Sequence, residues 1–228
     1  MQTVRSVLPS EPLALSGELR VIKKKGITTR SHPVRILVHF AGGRGSARYT
    51  IQDPRNGQVE KLRVNYFSDK ASEYLYGKGV GEADSEPPNI FNSIQDTSIS
   101  WLDLTLSFLW WRQEGTAGID QVKGRECHVV LVRPQLSDEK QTFAGKSENQ
   151  YKKVKLWVDS KAHMILQAEA YDHEDELVRR LTIRSFKKIN DRWMIKEMEI
   201  ESRPFTYKTR LRINEMRAKK NYEPVFKD

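Results

Sequence analysis

The chain has little cysteine, modest hydrophobic content and no long apolar run. Cys127 is the single cysteine among 228 residues, which excludes a disulfide framework and a thiolate metal site. No segment approaches the roughly 20 consecutive apolar residues of a membrane-spanning helix. The first residues, beginning at Met1, lack the apolar core of a signal peptide, so an exported form is expected to have lost its signal.

Sequence patterns of common enzymes and metal sites are also missing. The five histidines lie far apart and none has a ligand at zinc-binding spacing, and there is no Gly-x-Ser-x-Gly elbow. The glycine-rich run 42–45 lacks the Lys-Ser/Thr end of a phosphate-binding loop, and the acidic run 172–176 lacks the glycine of a calcium-binding loop. Both runs are interpreted as turns. We therefore predict no catalytic residue, no metal and no cofactor.

The second half of the chain has the alternating pattern of β-strands. Val154, Leu156 and Val158 alternate with Lys153, Lys155 and Trp157, and similar alternation returns in segments near 177–184, 194–201 and 207–213. Short polar turns separate these segments. Such a pattern is typical of an antiparallel meander with one buried face and one solvated face.

The first half of the chain is predicted to form shorter strands after a lead segment. Residues 1–16 are expected to form this lead, with a short helix near Val4–Leu8 that Pro9 ends. Strands are predicted at Gly17–Lys24, Val34–Phe40, Ser46–Gln52, Val59–Phe67 and Ser72–Tyr76. Two further strands are predicted at Thr116–Val122 and Cys127–Arg133. Together with those of the second half, ten or eleven strands are predicted in all. No composition break divides the chain, so a single domain spanning 1–228 is predicted.

Asn89–Trp111 differs from the rest because it is strongly apolar without alternation. Ser100 and Asp103 have the spacing of a helix-capping box, so a helix is expected to start there. Two interpretations of the aromatic residues remain open. They either fill an ordinary core on the concave side of the sheet, or they line an apolar ligand cavity.

A net charge of +9 permits binding to nucleic acid or to an anionic surface. However, many basic residues alternate with acidic ones along predicted strands. Met198 is expected to pair with Thr209, a register that sets Glu197 against Arg210 and Glu199 against Lys208. Such pairs contribute roughly 0.2–1 kcal/mol each. The charge therefore indicates a solvated sheet face. A module that binds nucleic acid or an anionic surface is the alternative. A third hypothesis, an unrecognised hydrolase, has no sequence motif in its favour.

Five segments carry a family resemblance. They are Gly124–Val132, Tyr151–Asp159, Leu166–Asp172, Ser185–Trp193 and Lys196–Ile200. Together they resemble the outer-membrane lipoprotein-sorting proteins, relatives of the lipoprotein carrier LolA, over about residues 120–215. Asp191 and the turn 173–175 replace glycines that are frequent in that family. Both are turn positions, where Asp tolerates a left-handed backbone better than most residues.

The resemblance implies a mainly β fold, an unclosed antiparallel half-barrel whose concave face is covered by short helices. It also implies a non-catalytic periplasmic carrier of the acyl chains of lipid or lipoprotein, with an envelope transporter or receptor as partner, no nucleic acid and a monomeric state. The ligand is expected between the sheet and the apolar segment Asn89–Trp111, and this segment is expected to move on hinges near Gly77–Pro88 and Gln113–Gly118. The predicted cavity residues are Trp101, Leu104, Phe108, Leu109, Leu156, Met198 and Leu211.

Overall fold

The computed structural model describes residues 2–23, 26–41, 43–81, 85, 89–134, 151–189, 192–203 and 207–218. Helix α1 covers Gln2–Ser6, helix α2 covers Trp101–Thr105, and a 3-10 turn covers Ser107–Trp110. No helix in these ranges is long and apolar enough to cross a membrane. The strands are β1 (Leu13–Lys23), β2 (Thr28–Ala41), β3 (Arg44–Gln52), β4 (Val59–Phe67), β5 (Glu73–Lys78), β6 (Arg112–Val122), β7 (Arg125–Arg133), β8 (Lys153–Asp159), β9 (Ile165–Tyr171), β10 (Leu177–Ile189), β11 (Arg192–Ser202) and β12 (Tyr207–Ala218).

All twelve strands form one antiparallel sheet in the order β5-β4-β3-β2-β1-β12-β11-β10-β9-β8-β7-β6. Every neighbouring pair is also consecutive in the chain, except β1 and β12, which join the first and last strands at the centre. Strands β5 and β6 form the two edges and do not pair with each other in the described sheet. The predicted unclosed, mainly antiparallel fold is confirmed.

The predicted count of ten or eleven strands is wrong, because β9 adds a twelfth. Its alternation is weak in the sequence, since the buried positions Ala168 and Ala170 have small side chains. The lead segment is also shorter than predicted, because β1 starts at Leu13 and not near Gly17. That all strands join one sheet supports the predicted single domain, which stays a prediction.

Two of the predicted turns show the backbone that their residues favour. At Lys123 and Gly124, between β6 and β7, the φ angles are 52° and 74°, as in a two-residue hairpin turn. In the turn that links β9 to β10, Asp175 has φ 63°, so an Asp does occupy a left-handed position there. Asn190-Asp191 and the second half of the predicted turn Ser202–Phe205 lie outside the described residues.

The predicted register between β11 and β12 is wrong by two residues. Met198 pairs with Leu211, and Glu199 therefore lies opposite Arg210. A shift of two residues keeps every side chain on its expected face. The buried Glu199 binds Arg210, directly opposite, at 2.5 Å and also Lys208 at 2.8 Å, since Lys208 is two residues along β12 on the same face.

The main core fills the concave face between the sheet and the insert, which we define as Asn89–Trp111. Buried side chains from nearly every strand meet the insert there, among them Leu19, Ile51, Leu62, Leu156 and Met198. A second, smaller cluster lies on the opposite face of the sheet. It consists of Val122, Cys127, Val129, Trp157 and Leu166. Trp157 thus lies on the face predicted for it, but it is buried there and not solvated.

Candidate ligand cavity beneath the insert

An apolar cavity of about 140 Å³ lies where the insert, the N-terminal segment Val4–Pro9 and the sheet meet. No charged side chain of the described residues lines it, and Tyr49 and Thr105 are its only lining residues with a side-chain hydroxyl. The remaining lining is apolar. It comprises Val4, Val7, Leu8, Pro9, Leu15, Ile36, Val38, Phe40, Leu104, Leu106, Leu109, Trp110, Met164, Ile165, Phe186, Trp193, Met194, Ile195, Met198, Leu211 and Ile213.

The size of this cavity sets what it can hold without rearrangement. A buried apolar cavity of about 150 Å³ admits benzene, so about 140 Å³ accommodates a short apolar group. A long acyl chain requires the surrounding segments to move apart. Trp193, which is 50% exposed, lies at the solvent side of the lining.

The shape of the insert follows from local signals in its sequence. Ser100 caps α2, and its hydroxyl accepts the backbone N–H of Asp103 at 3.1 Å. The Asp103 carboxylate in turn accepts the Ser100 N–H at 3.0 Å, which completes the predicted capping box. Leu106 adopts φ 52°, a left-handed conformation that ends the helix and starts the 3-10 turn. This reversal lets residues of both short helices line one cavity.

A buried polar cluster fastens the first half of the insert to the sheet. Arg179 of β10 is 4% exposed, lies 3.3 Å from the carboxylate of Asp103 and donates to the Ser98 carbonyl. Tyr151 donates to the other oxygen of Asp103 at 2.8 Å. Burial raises the pKa of Tyr151 well above its ordinary value, so the phenol keeps its proton for this bond.

Two further side chains of the sheet bind the same part of the insert. Ser202 of β11 donates to the Ser98 carbonyl at 2.8 Å. Thr209 of β12 accepts the Ser98 backbone N–H at 2.8 Å, and the Ser98 hydroxyl donates to it at 2.8 Å. We call Ser98, Asp103, Tyr151, Arg179, Ser202 and Thr209 the latch. It holds the helix start. Beyond it, Tyr66 of β4 donates to the Thr105 carbonyl at 2.9 Å, and Leu106, Leu109 and Trp110 contribute apolar side chains to the cavity lining.

The structure separates the predicted cavity residues into two groups. Leu104, Leu109, Met198 and Leu211 line the cavity. Trp101, Phe108 and Leu156 are buried in the same core but do not line it. Trp101 packs edge-on against Tyr76, with ring centroids 6.3 Å apart.

Several lining residues were missed by sequence reasoning although a signal existed. Ile36, Val38 and Phe40 alternate on β2 and reach the cavity, and the same alternation had predicted the strand. The segment Val4–Pro9 was treated as a lead, yet it covers one side of the cavity. The second predicted hinge, Gln113–Gly118, lies within β6 and pairs with β7, so it is not a free linker. In the first predicted hinge, Gly77–Pro88, residues 82–84 and 86–88 lie outside the described ranges.

A histidine lies under the insert at the other end of β2. His32 is fully buried, and its Nε2 lies 3.0 Å from Asp96 Oδ1. Arg30 forms an ion pair with the same carboxylate. Burial lowers the pKa of His32 from its ordinary value, which keeps the imidazole neutral. Within the described ranges, no group of three or more His, Cys, Asp or Glu could hold a metal ion.

A protein-family model matches the larger part of the chain. A family model described as "Uncharacterized protein" matches residues 90–227. None of the curated protein sequences matches the chain.

Solved structures from bacteria share the architecture. A putative outer membrane lipoprotein-sorting protein domain from Vibrio parahaemolyticus has a TM-score of 0.75 at 14% identity, covering 98% of this chain and 92% of its own. A DUF1329 family protein from Desulfovibrio piger has a TM-score of 0.71 at 16% identity, with 96% and 90% covered. A LolA superfamily protein from Nitrosomonas europaea has a TM-score of 0.65 at 12% identity, with 100% and 95% covered. The fold is therefore LolA-like, as the sequence resemblance implied.

Proposed function

The chain belongs to the family whose model, described as "Uncharacterized protein", matches residues 90–227, and from its LolA-like fold we propose a non-catalytic carrier of lipid or lipoprotein acyl chains. The observation that carries the proposal is the cavity beneath the insert, whose described lining contains no charged side chain. A polar ligand would leave its hydrogen-bonding groups unpaired there. An acyl chain has no hydrogen-bonding groups that could be left unpaired.

The free energy gained by burying methylene groups is consistent with an acyl chain as the ligand of this cavity. Each buried methylene contributes about 0.8 kcal/mol, so even the few that fit without rearrangement would hold a chain end. A longer chain would bind more tightly as the cavity widens. Release would follow when the moving segments close again.

The segments that can move are those outside the latch. Leu106, Leu109 and Trp110 line the cavity from the insert, and none of them belongs to the polar cluster. Val4–Pro9 covers the cavity from the other side. We propose that these two segments separate to admit the chain while Ser98–Asp103 stays on the sheet.

The envelope of a bacterium is the proposed place of action. The relative from Vibrio parahaemolyticus is described as a putative outer membrane lipoprotein-sorting protein domain, which supports a periplasmic location for a chain of the same fold. The proposed partners are the acyl chains themselves and an envelope transporter or receptor that delivers or accepts them.

Binding of a fluorescent fatty acyl probe tests the proposal. Met194→Trp puts a larger side chain into the lining and should weaken probe binding at least tenfold. Met216→Trp is the matched control, because Met216 packs against the core without lining the cavity. Mass spectrometry of protein purified under mild conditions should also find co-purified lipid. Absence of probe binding by the unmodified protein, together with absence of lipid, would reject the carrier.

A second candidate is binding to an anionic surface through the outer face of the sheet. Arg48 of β3 lies directly opposite Arg63 of β4, and like charges in that position repel. Arg35, Lys61 and Arg217 line the same groove, with Glu215 as its only described acid. Arg48→Gln should reduce salt-sensitive binding to anionic vesicles if this surface is used.

A further inference from the structure

A cleft of about 550 Å³, more polar than the apolar cavity, adjoins it. The two share Leu8, Phe40 and Trp110 as lining residues. Phe40 and Trp110 stack with ring centroids 5.5 Å apart and form the common wall. The cavity and the cleft therefore lie on either side of this pair of rings.

The cleft carries positive charge without a matching acid. Arg5 from α1 and Arg44 from β3 line it, together with the hydroxyl-bearing residues Ser6, Ser10 and Ser68. No acidic side chain of the described residues is part of this lining. Neither arginine forms an ion pair with a described carboxylate.

The local sequence explains how one short segment serves both compartments. Val4, Val7 and Leu8 line the apolar cavity, whereas Arg5, Ser6 and Ser10 line the cleft. Leu8 contributes to both. Arg5 is partly buried, and burial lowers the pKa of its guanidinium, which indicates a cation held partly out of water. A cation in that setting gains from an anionic partner.

We propose that the cleft binds the anionic head group of an amphiphile whose acyl chain occupies the cavity. The inference rests on the proposed carrier function and names its substrate class. Guanidinium groups donate paired N–H bonds to carboxylate and phosphate oxygens, and serine hydroxyls add single bonds. A fatty acid and a phosphate-headed lipid share this chemistry.

The test compares amphiphiles that differ only in the head group. The fluorescent probe cis-parinaric acid is titrated beside its methyl ester at mildly alkaline pH, where the carboxylate is ionised. The unmodified protein should bind the acid roughly tenfold or more tightly than the ester, since hydrogen bonds to charged groups contribute at that level. Displacement by dodecyl phosphate and by laurate then distinguishes a phosphate head from a carboxylate head.

Variants assign the preference to the cleft. Arg5→Gln and Arg44→Gln should each reduce the acid-to-ester affinity ratio and leave ester binding unchanged. Arg212→Gln is the control for net charge, because Arg212 is exposed between the inward residues Leu211 and Ile213 of β12. It should leave the ratio unchanged.

The outcomes separate this inference from the carrier proposal. Equal affinity for acid and ester in the unmodified protein overturns the head-group site and leaves the carrier standing. A ratio that the two cleft variants do not change, or that Arg212→Gln changes equally, also overturns it. Failure to bind either probe rejects both proposals.

Discussion

Arg179 Nη1 of β10 lies 3.3 Å from Asp103 Oδ2 at the start of the insert helix, with both side chains 4% exposed. The carboxylate also caps the helix and accepts a hydrogen bond from Tyr151. One buried charge pair thus fixes both the start of the helix and its position on the sheet. The proposed opening of the cavity therefore begins beyond this pair.

Removing Arg179 should unfold the protein more easily. Arg179→Met leaves Asp103 buried without its cation, and breaking a buried pair in this way costs about 3–5 kcal/mol. Chemical denaturation would measure the free energy of unfolding. Arg180→Met is the neighbouring control; Arg180 is 42% exposed and pairs with Glu169, so its loss should cost less than about 1 kcal/mol. Equal costs for the two variants would contradict a structural role for the latch.

The rates of amide hydrogen exchange in the insert should differ between the residues before and after Leu104. Amides of 98–103 are expected to be as protected as those of Met198–Ile200, since the latch ties them to the sheet. Amides of 106–110 and 4–8 lie outside the latch and should exchange faster, as movable segments usually do. Adding an acyl ligand should slow the second group only. Uniform protection across 98–110, unaffected by ligand, would argue for a solid core.

Gly17 should tolerate no side chain. The β1 bulge between Ser16 and Gly17 brings the Arg212 carbonyl oxygen within 2.1 Å of where a Cβ would stand. Gly17→Ala should therefore destabilise the protein by at least about 1–3 kcal/mol, the usual cost of overpacking. Gly115→Ala serves as the control, because nothing lies within 4 Å of its Cβ position. Thermal unfolding of both variants would compare them; similar melting temperatures would contradict the close approach.

Acid should weaken the turn between β8 and β9. Hydrogen bonds from Arg125, and from the backbone N–H groups of Lys161 and Ala162, outweigh burial and lower the pKa of Asp159 to about 2 from an ordinary 3.8. A carboxyl with a depressed pKa stabilises the folded state above its unfolded pKa. That stabilisation should be lost as the pH falls from about 4 to about 2.

Asp159→Asn isolates this contribution. Arg125 is 52% exposed, so solvent screening limits the contribution to about 1–2 kcal/mol. The variant should be less stable than the unmodified protein at neutral pH, and the difference should shrink as pH falls toward 2. A difference in stability that stays constant over that pH range would show that the loss comes from packing and not from charge.

The strands were predictable because their signal is local, whereas the register was not. Alternation placed Met198, Ile200 and Leu211 on the buried face, which the structure confirms. Charge matching could not choose between registers two residues apart, since Glu199 reaches both Lys208 and Arg210. The cross-strand attraction is similar in either case.

The candidate site was predictable in outline for the same reason. The apolar composition of 89–111 indicated the insert, and its capping box could be read from Ser100 and Asp103. The latch could not, because Arg179 is 81 residues from the Ser98 carbonyl that it binds. Alternation does put Arg179 on the same face as Leu181 and Ile183, but it does not show which group of the insert this arginine binds.

The pairing of β1 with β12 has a consequence for how the chain matures. In the described sheet, β1 and β12, which are its first and last strands along the chain, are neighbours near the centre. During synthesis, β1 therefore cannot gain one of its two neighbours until Tyr207–Ala218 has left the ribosome. Contacts so distant in sequence also form slowly. The sheet therefore stays incomplete until β12 has been made, and β1 keeps an unpaired edge during that interval.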